Sequence, residues 1–109
     1  MMDKKYELIE SDFVEEFGVK LFRIKALRSF DSVEYGDLGG YIRSKESLSH
    51  DGNAWVGDKA KVSGEAVVRD NARVEGNARV DNSAMVVGDS LVSGNAKVED
   101  NAIVVVMLW

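Results

Sequence analysis

The sequence predicts an all-β protein whose second half is a stack of short strands joined by tight corners. Three observations predict this fold class. Valine recurs at every sixth position, a small residue precedes each valine by two positions, and turn-forming residues separate the pairs. The valines, here called the valine column, occupy positions 56, 62, 68, 74, 80, 86, 92, 98 and 104. The small residues, here called the alanine column, are Ala54, Ala60, Ala66, Ala72, Ala78, Ala84, Ser90, Ala96 and Ala102.

The spacing inside each six-residue unit is that of a β-strand. Two residues that are two positions apart point to the same side of an extended chain, and the residue between them points to the other side. Pairs such as Gly64-Glu65 and Asp70-Asn71 follow, and these residue types tolerate the backbone of a tight corner. One strand and one corner cannot bury an apolar face, so the units must stack. Residues 54–107 supply nine units, and with three units to a coil they make three coils.

The unit Ala72-Arg73-Val74-Glu75-Gly76-Asn77, with its neighbours, resembles the repeats of the hexapeptide-repeat left-handed parallel β-helix family. The resemblance covers about half the chain, and it alone implies the left-handed sense, which periodicity does not determine. A β-sandwich or a meander with the same spacing is the alternative, although antiparallel strands rarely keep one period so strictly. The expected fold is therefore a left-handed parallel β-helix of about three to four coils.

The segment before the repeats is also similar to a particular branch of these proteins. Gly36-Asp37-Leu38-Gly39-Gly40-Tyr41-Ile42, together with the residues up to Val56, resembles members found in bacteria and their phages. Many of those members are labelled as transferases because of the repeat. A fold by itself does not establish a function, so the label carries little weight.

Residues 1–41 are predicted to form a small β-rich N-terminal cap. Lys5–Glu10 and Val19–Leu27 have the composition of strands, and residues 36–40 that of a glycine-rich turn. Between the strands, Asp12 with a glutamate three positions later, followed by Gly18, predicts a short helical turn. Such a cap would cover the open N-terminal edge of the stack, which otherwise invites strand addition.

The six-residue phase also extends backwards from the repeats. Ile42 and Leu48 fall in the alanine column and His50 in the valine column, so residues 42–53 are predicted to form an imperfect first coil. The β-helix is accordingly expected over residues 42–107, with residues 108–109 as an apolar C-terminal tail.

The outward residues sort into three faces, because positions three units apart lie above one another. One face is charged and polar, one is mixed, and one is almost entirely apolar. A contiguous apolar patch usually marks an interface. We therefore predict a homo-oligomer, with a trimer favoured over a dimer, unless the cap or the tail folds over this face. The predicted interface residues are Val67, Met85, Val87, Ile103 and Val105.

Two single residues are further candidates for function. Trp55 points outward in the predicted first coil and is a candidate partner-binding residue, since aromatic side chains often anchor interfaces. Its alternative is packing under the cap. His50 is the only imidazole, and acyltransferases of the resembled family use a histidine at a subunit interface as general base. Its alternative, which we favour, is a structural role at the end of the stack.

Composition excludes much other chemistry. The 109 residues contain no cysteine and one histidine, so thiolate catalysis and cysteine-bound metals are excluded, and no metal or cofactor is predicted. The net charge of −5 disfavours nucleic-acid binding. The sequence contains no apolar run of about 18 residues, so no membrane span is predicted. The start lacks the apolar core of a signal peptide, so a cytoplasmic location is expected.

These observations favour a non-catalytic, oligomeric binding module with a protein partner. The resemblance to phage proteins implies a phage or prophage protein that inhibits or sequesters a host component. The alternatives are a minimal acyltransferase that uses His50 at a subunit interface, and a small-molecule sponge with pockets between subunits.

Overall fold

The computed structural model describes residues 4–16 and 18–105, and it is an all-β solenoid of about four turns. The predicted fold class, a parallel β-helix, is confirmed. The left-handed sense stays a prediction. Val106 and Met107 of the predicted β-helix and the predicted tail, residues 108–109, lie outside the described residues.

Three longer strands precede the solenoid's short strands. They are β1 (Tyr6–Glu16), β2 (Val19–Ala26) and β3 (Leu38–Ile42), and a single turn of 3₁₀ helix follows at Lys45–Ser47. The short strands are β4 (Trp55–Val56), β5 (Lys61–Val62), β6 (Val67–Val68), β7 (Arg73–Val74), β8 (Arg79–Val80), β9 (Met85–Val86), β10 (Leu91–Val92), β11 (Lys97–Val98) and β12 (Ile103–Val104).

The short strands pair in parallel with the strands one coil further on, for example Val56 with Val74 and Val62 with Val80. This register builds three walls, as a coil of three units predicts. The first wall has the strand order β1-β2-β3-β5-β8-β11, the second β4-β7-β10 and the third β6-β9-β12. The β1–β2 hairpin joins the first wall, because β2 pairs in antiparallel fashion with β3.

The alanine and valine columns form the core between the walls. Their members from Ala54 to Val86 are at most 1% exposed. Burial decreases in the last coil, where Ala96 and Ala102 are exposed. An apolar cavity of about 460 Å³ opens there, lined in part by Val98 and Val104. The core is therefore tightly packed at its centre and open toward the last described coil.

The corners contain the predicted turn chemistry. Nine positions, spaced six residues apart from Gly52 to Asp100, have a left-handed backbone, with φ between 55° at Asp58 and 70° at Gly76. Each of these positions is a glycine, an aspartate or an asparagine, the residue types that tolerate this conformation best. They are Gly52, Asp58, Gly64, Asp70, Gly76, Asn82, Gly88, Gly94 and Asp100.

Two stacked corner glycines, Gly76 and Gly94, allow the cost of backbone strain to be measured separately from the cost of steric crowding. Both have positive φ, but a β-carbon at Gly76 would lie 2.9 Å from the backbone nitrogen of Gly94, whereas one at Gly94 would meet nothing within 4 Å. We expect Gly94→Ala to lower the free energy of unfolding by about 1 kcal/mol through strain. Gly76→Ala should cost about 1 kcal/mol more, because the next coil must also shift. Urea denaturation measures both, and equal losses would contradict the stacking.

The first coil is out of the predicted phase by two positions. Ile42 pairs with Val62 and Leu48 forms a bridge with Val68, so each lies two positions further from its partner than Val62 lies from Val80. Ile42 and Leu48 therefore belong to the valine column, and their assignment to the alanine column was wrong. His50 is not in the valine column either. It lies with Asp51 in a two-residue insertion at a corner, and a phase cannot be extrapolated across an insertion.

The predicted helical turn in the cap is also wrong. Asp12 and Glu15 lie in β1, which continues to Glu16 and pairs with β2. The register shifts between Ile9 and Phe13, so the intervening residues form a bulge. Cross-strand pairing here overrides a local capping signal, which is a weak determinant of structure.

The predicted glycine-rich turn is shorter than expected. Gly36, with φ of 90°, lies in the turn, but Gly39 and Gly40 are buried in β3. The reason is close packing, since a β-carbon at Gly40 would overlap the carbonyl oxygen of Ala60. The division at residue 41 between cap and solenoid stays an interpretation.

Candidate interaction surface and the His50 corner

The third wall presents the predicted apolar face. Val67, Met85 and Ile103 are in register across three parallel strands, so their side chains form one row. Val67 and Met85 are half-buried, whereas Ile103 is 63% exposed and Val105, beside it, is 49% exposed. We call these four residues the apolar face.

Val87 does not belong to this face in the way predicted. It is only 8% exposed, whereas Arg69 and Val105, at the same corner position of the neighbouring coils, are exposed. Its amide donates a hydrogen bond of 2.8 Å to the carbonyl of Val104, and its own carbonyl accepts one from the Ser90 hydroxyl. Position alone predicted an exposed side chain, but the structure shows a buried one.

The prediction of Trp55 as an accessible partner-binding residue is corrected. Trp55 is 4% exposed and belongs to the core. The Phe30 ring packs edge-on against it with 5.5 Å between ring centroids. The same loop is held to the second wall by Arg73, which donates hydrogen bonds of 3.2 Å to Asp31 and 2.8 Å to Ser32. The alternative of packing under the cap is therefore the correct one.

The first wall carries paired charges. Arg79, in β8, binds the carboxylate of Glu16, at the end of β1, and its Nε lies 3.8 Å from a carboxylate oxygen of Asp81. The Arg79 hydrogen bond holds the pKa of Glu16 below its ordinary value, and Glu16 raises the pKa of Arg79. The sequence predicts a charged and polar face here, but it has no signal for the pairing with Glu16, which is 63 residues away.

His50 lies where the start of β1 meets the first coil. Its Nδ1 accepts a hydrogen bond of 3.1 Å from the backbone amide of Lys5. Its ring is stacked on Tyr6, with centroids 4.2 Å apart and planes 9° from parallel. Arg28 donates a hydrogen bond of 3.3 Å to the His50 carbonyl. Burial first, and then the charges of Lys5, Lys4 and Arg28, lower the pKa of His50.

This geometry supports a structural role for His50. In a neutral imidazole one nitrogen is the acceptor and the other carries the proton. Because Nδ1 accepts the Lys5 amide, the proton is assigned to Nε2. A general base needs a free lone pair directed at its substrate. The lone pair of His50 is instead occupied by the backbone, which disfavours the acyltransferase alternative.

Two neighbours of His50 were not expected from the sequence. Lys5 is fully buried, and its Nζ donates a hydrogen bond of 2.6 Å to the carbonyl of Ala54. Burial, with a smaller contribution from Arg28, lowers the pKa of Lys5 to about 8. The Tyr6 hydroxyl contacts the carbonyl of Leu48, and burial raises the Tyr6 pKa. A lysine in a strand gives no sequence signal for burial.

Among residues 4–16 and 18–105, no cluster of three or more histidine, cysteine, aspartate or glutamate side chains is arranged to hold a metal ion. In the same part of the chain no helix has the length and apolar character needed to cross a membrane. The fold defines the chain as a β-solenoid protein. No protein-family model matches the chain, and no curated protein matches it.

Proposed function

We propose that this chain is a non-catalytic oligomeric interaction module that associates with itself through the apolar face and presents its other surfaces to a protein partner. The observation that carries the proposal is the exposure of Ile103 and Val105 next to Met85 on one wall. Adjacent strands are about 4.8 Å apart, so these side chains form a continuous patch. A patch of this kind marks an interface more often than a solvated surface.

The energetics are compatible with association. Full burial of one such side chain contributes about 1.5–3 kcal/mol. Both copies bury their apolar face in an interface, so two sets of four residues contribute roughly 10 kcal/mol after allowing for what is already buried. That value is within the range of about 4–15 kcal/mol that association costs. We favour a closed trimer over a dimer, because a trimer has three interfaces between copies and a dimer has one.

A charge on the apolar face tests the proposal. We expect Ile103→Asp to convert the oligomer to a monomer at micromolar concentration, because a carboxylate would have to be desolvated in the interface. Asn101→Asp is the matched control, since Asn101 is exposed in the same coil and the substitution introduces the same charge. Sedimentation velocity measures the mass of both variants. A wild-type monomer, or equal behaviour of the two variants, would overturn the proposal.

A protein partner, a cytoplasmic location and a phage or prophage origin belong to the same proposal. They rest on the resemblance and the composition of the chain. The small-molecule sponge stays an alternative, because an oligomer of this shape has clefts between its copies. Mass spectrometry of molecules that co-purify with the oligomer distinguishes it from a protein-binding module.

A further inference from the structure

The start of β1 is fastened to the first coil through the side chains of Lys5, Tyr6 and His50, of which only His50 belongs to the coil. His50 accepts the Lys5 amide, stacks on the Tyr6 ring and, through its carbonyl, binds Arg28. The Lys5 amine also binds the carbonyl of Ala54, and the Tyr6 hydroxyl binds backbone carbonyls. On the cap side, the Leu27 amide donates a hydrogen bond of 2.8 Å to the Lys5 carbonyl, and Tyr6 pairs with Ala26. The imidazole is therefore at the centre of the contact between the cap and the first coil.

The chain departs from its repeat at this point. The valine column and the alanine column are four positions apart at the corresponding corners of the next two coils, from Val68 to Ala72 and from Val86 to Ser90. In the first coil the step from Leu48 to Ala54 is six positions. The two additional residues include His50, so the insertion places an imidazole where the regular corner has none.

The charges around His50 oppose its protonation. Lys4 and Lys5 face it from the start of β1, and Arg28 faces it from the loop after β2. Asp51, on the same insertion, is the opposing acidic group, and Tyr6 lies against the ring with Glu46 of the 3₁₀ helix near its hydroxyl. A proton on Nδ1 would face the Lys5 amide proton, so the hydrogen bond would be replaced by a repulsive contact.

We propose that His50 is an acid-sensitive latch: its neutral ring holds the start of β1 on the first coil, and its protonation releases Lys5 and Tyr6 from that coil. Release uncovers the N-terminal end of the core around Leu48 and Ala54. β1 stays attached to β2, because the two strands pair from Tyr6 onward, and its far end stays on the first wall, because Arg79 binds Glu16. The latch is separate from the apolar face and does not depend on the proposed oligomer.

One titration tests the latch without any variant. His50 is the only histidine in the sequence, so its ring resonances in an NMR spectrum are unambiguous. The pKa of His50 is lowered from 6.5 while Lys5 and Tyr6 are bound to the first coil, and it returns toward 6.5 when they separate from it. By linkage, protonation of His50 therefore increases the equilibrium constant for this separation about tenfold for each unit by which the pKa is lowered. We therefore expect the protection of the Lys5 amide against hydrogen exchange to fall by that factor between about pH 7 and pH 4, after correction for the intrinsic exchange rate.

A second measurement assigns the effect to the imidazole. In His50→Gln the side-chain carbonyl can accept the Lys5 amide but does not titrate, so protection should be independent of pH. The amide of Leu21, which is buried in β2, serves as the internal control. A ring that titrates at or above 6.5 would overturn the latch. So would unchanged Lys5 protection in the protonated protein, or an equal fall in the glutamine variant.

Discussion

Gly40→Ala is expected to lower the free energy of unfolding by about 3 kcal/mol, a large effect for one methyl group. The added β-carbon would overlap the carbonyl oxygen of Ala60 and lie 2.9 Å from Cγ1 of Val56. The first contact is with backbone that cannot rotate away. Strand β3 would have to separate from β5, and the hairpin is attached to the solenoid through this pairing.

Gly57→Ala is the matched control. Gly57 is also buried and also has a negative or extended φ, but its β-carbon would make ordinary contacts of 3.4–3.7 Å with Trp55 and Glu75. Its stability should change by less than about 1 kcal/mol, because the alanine also reduces the entropy of the unfolded chain. Chemical denaturation compares the two variants. Similar small effects for both would show that β3 and β5 are less closely packed than the structure indicates.

Stability is expected to increase between pH 8 and pH 10, because Lys5 is buried. Its pKa is about 8 in the folded protein and 10.5 in the unfolded chain. Between these values the unfolded chain binds more protons than the folded protein, so the free energy of unfolding rises with pH. Integration over the two pH units gives a gain of about 2 kcal/mol.

Lys5→Met should abolish this gain, whereas Lys4→Met, at the exposed neighbour, should retain it. The titration of Tyr6 has the opposite effect on stability, above the ordinary tyrosine pKa of 10.0. Its raised pKa means that the folded protein holds the proton longer than the unfolded chain, so stability falls as the pH rises further. Denaturation midpoints from pH 7 to pH 11 should therefore pass through a maximum near pH 10. A monotonic fall from pH 8 would contradict the burial of Lys5.

The interior of the solenoid follows from local patterns that the sequence contains in full. Val74 and Ala72 point inward because two residues on one strand share a side. Asp70 and Gly76 form corners because their residue types tolerate a left-handed backbone. These rules act within one unit, and the stacking of coils repeats them. The walls and the composition of the apolar row at Met85 are therefore predictable.

The contacts between the cap and the solenoid, unlike the patterns within each repeat, join residues that are far apart in the sequence. Glu16 binds Arg79 across 63 residues, and Lys5 binds Ala54 across 49. No repeat relates such pairs, and each depends on how the hairpin lies on the walls. The burial of Trp55 has the same origin, since the loop that carries Phe30 covers it.

The sequence by itself determined the coil, its three walls and the position of the apolar row, because each depends on short-range periodicity. Only the tertiary structure decided that Ile42 and Leu48 are in the valine column and that His50 lies in an insertion. It also decided that the Val87 side chain is buried. The physical reason is that a two-residue insertion leaves every local preference satisfied while it shifts the register, and register is set by the hydrogen bonds between coils.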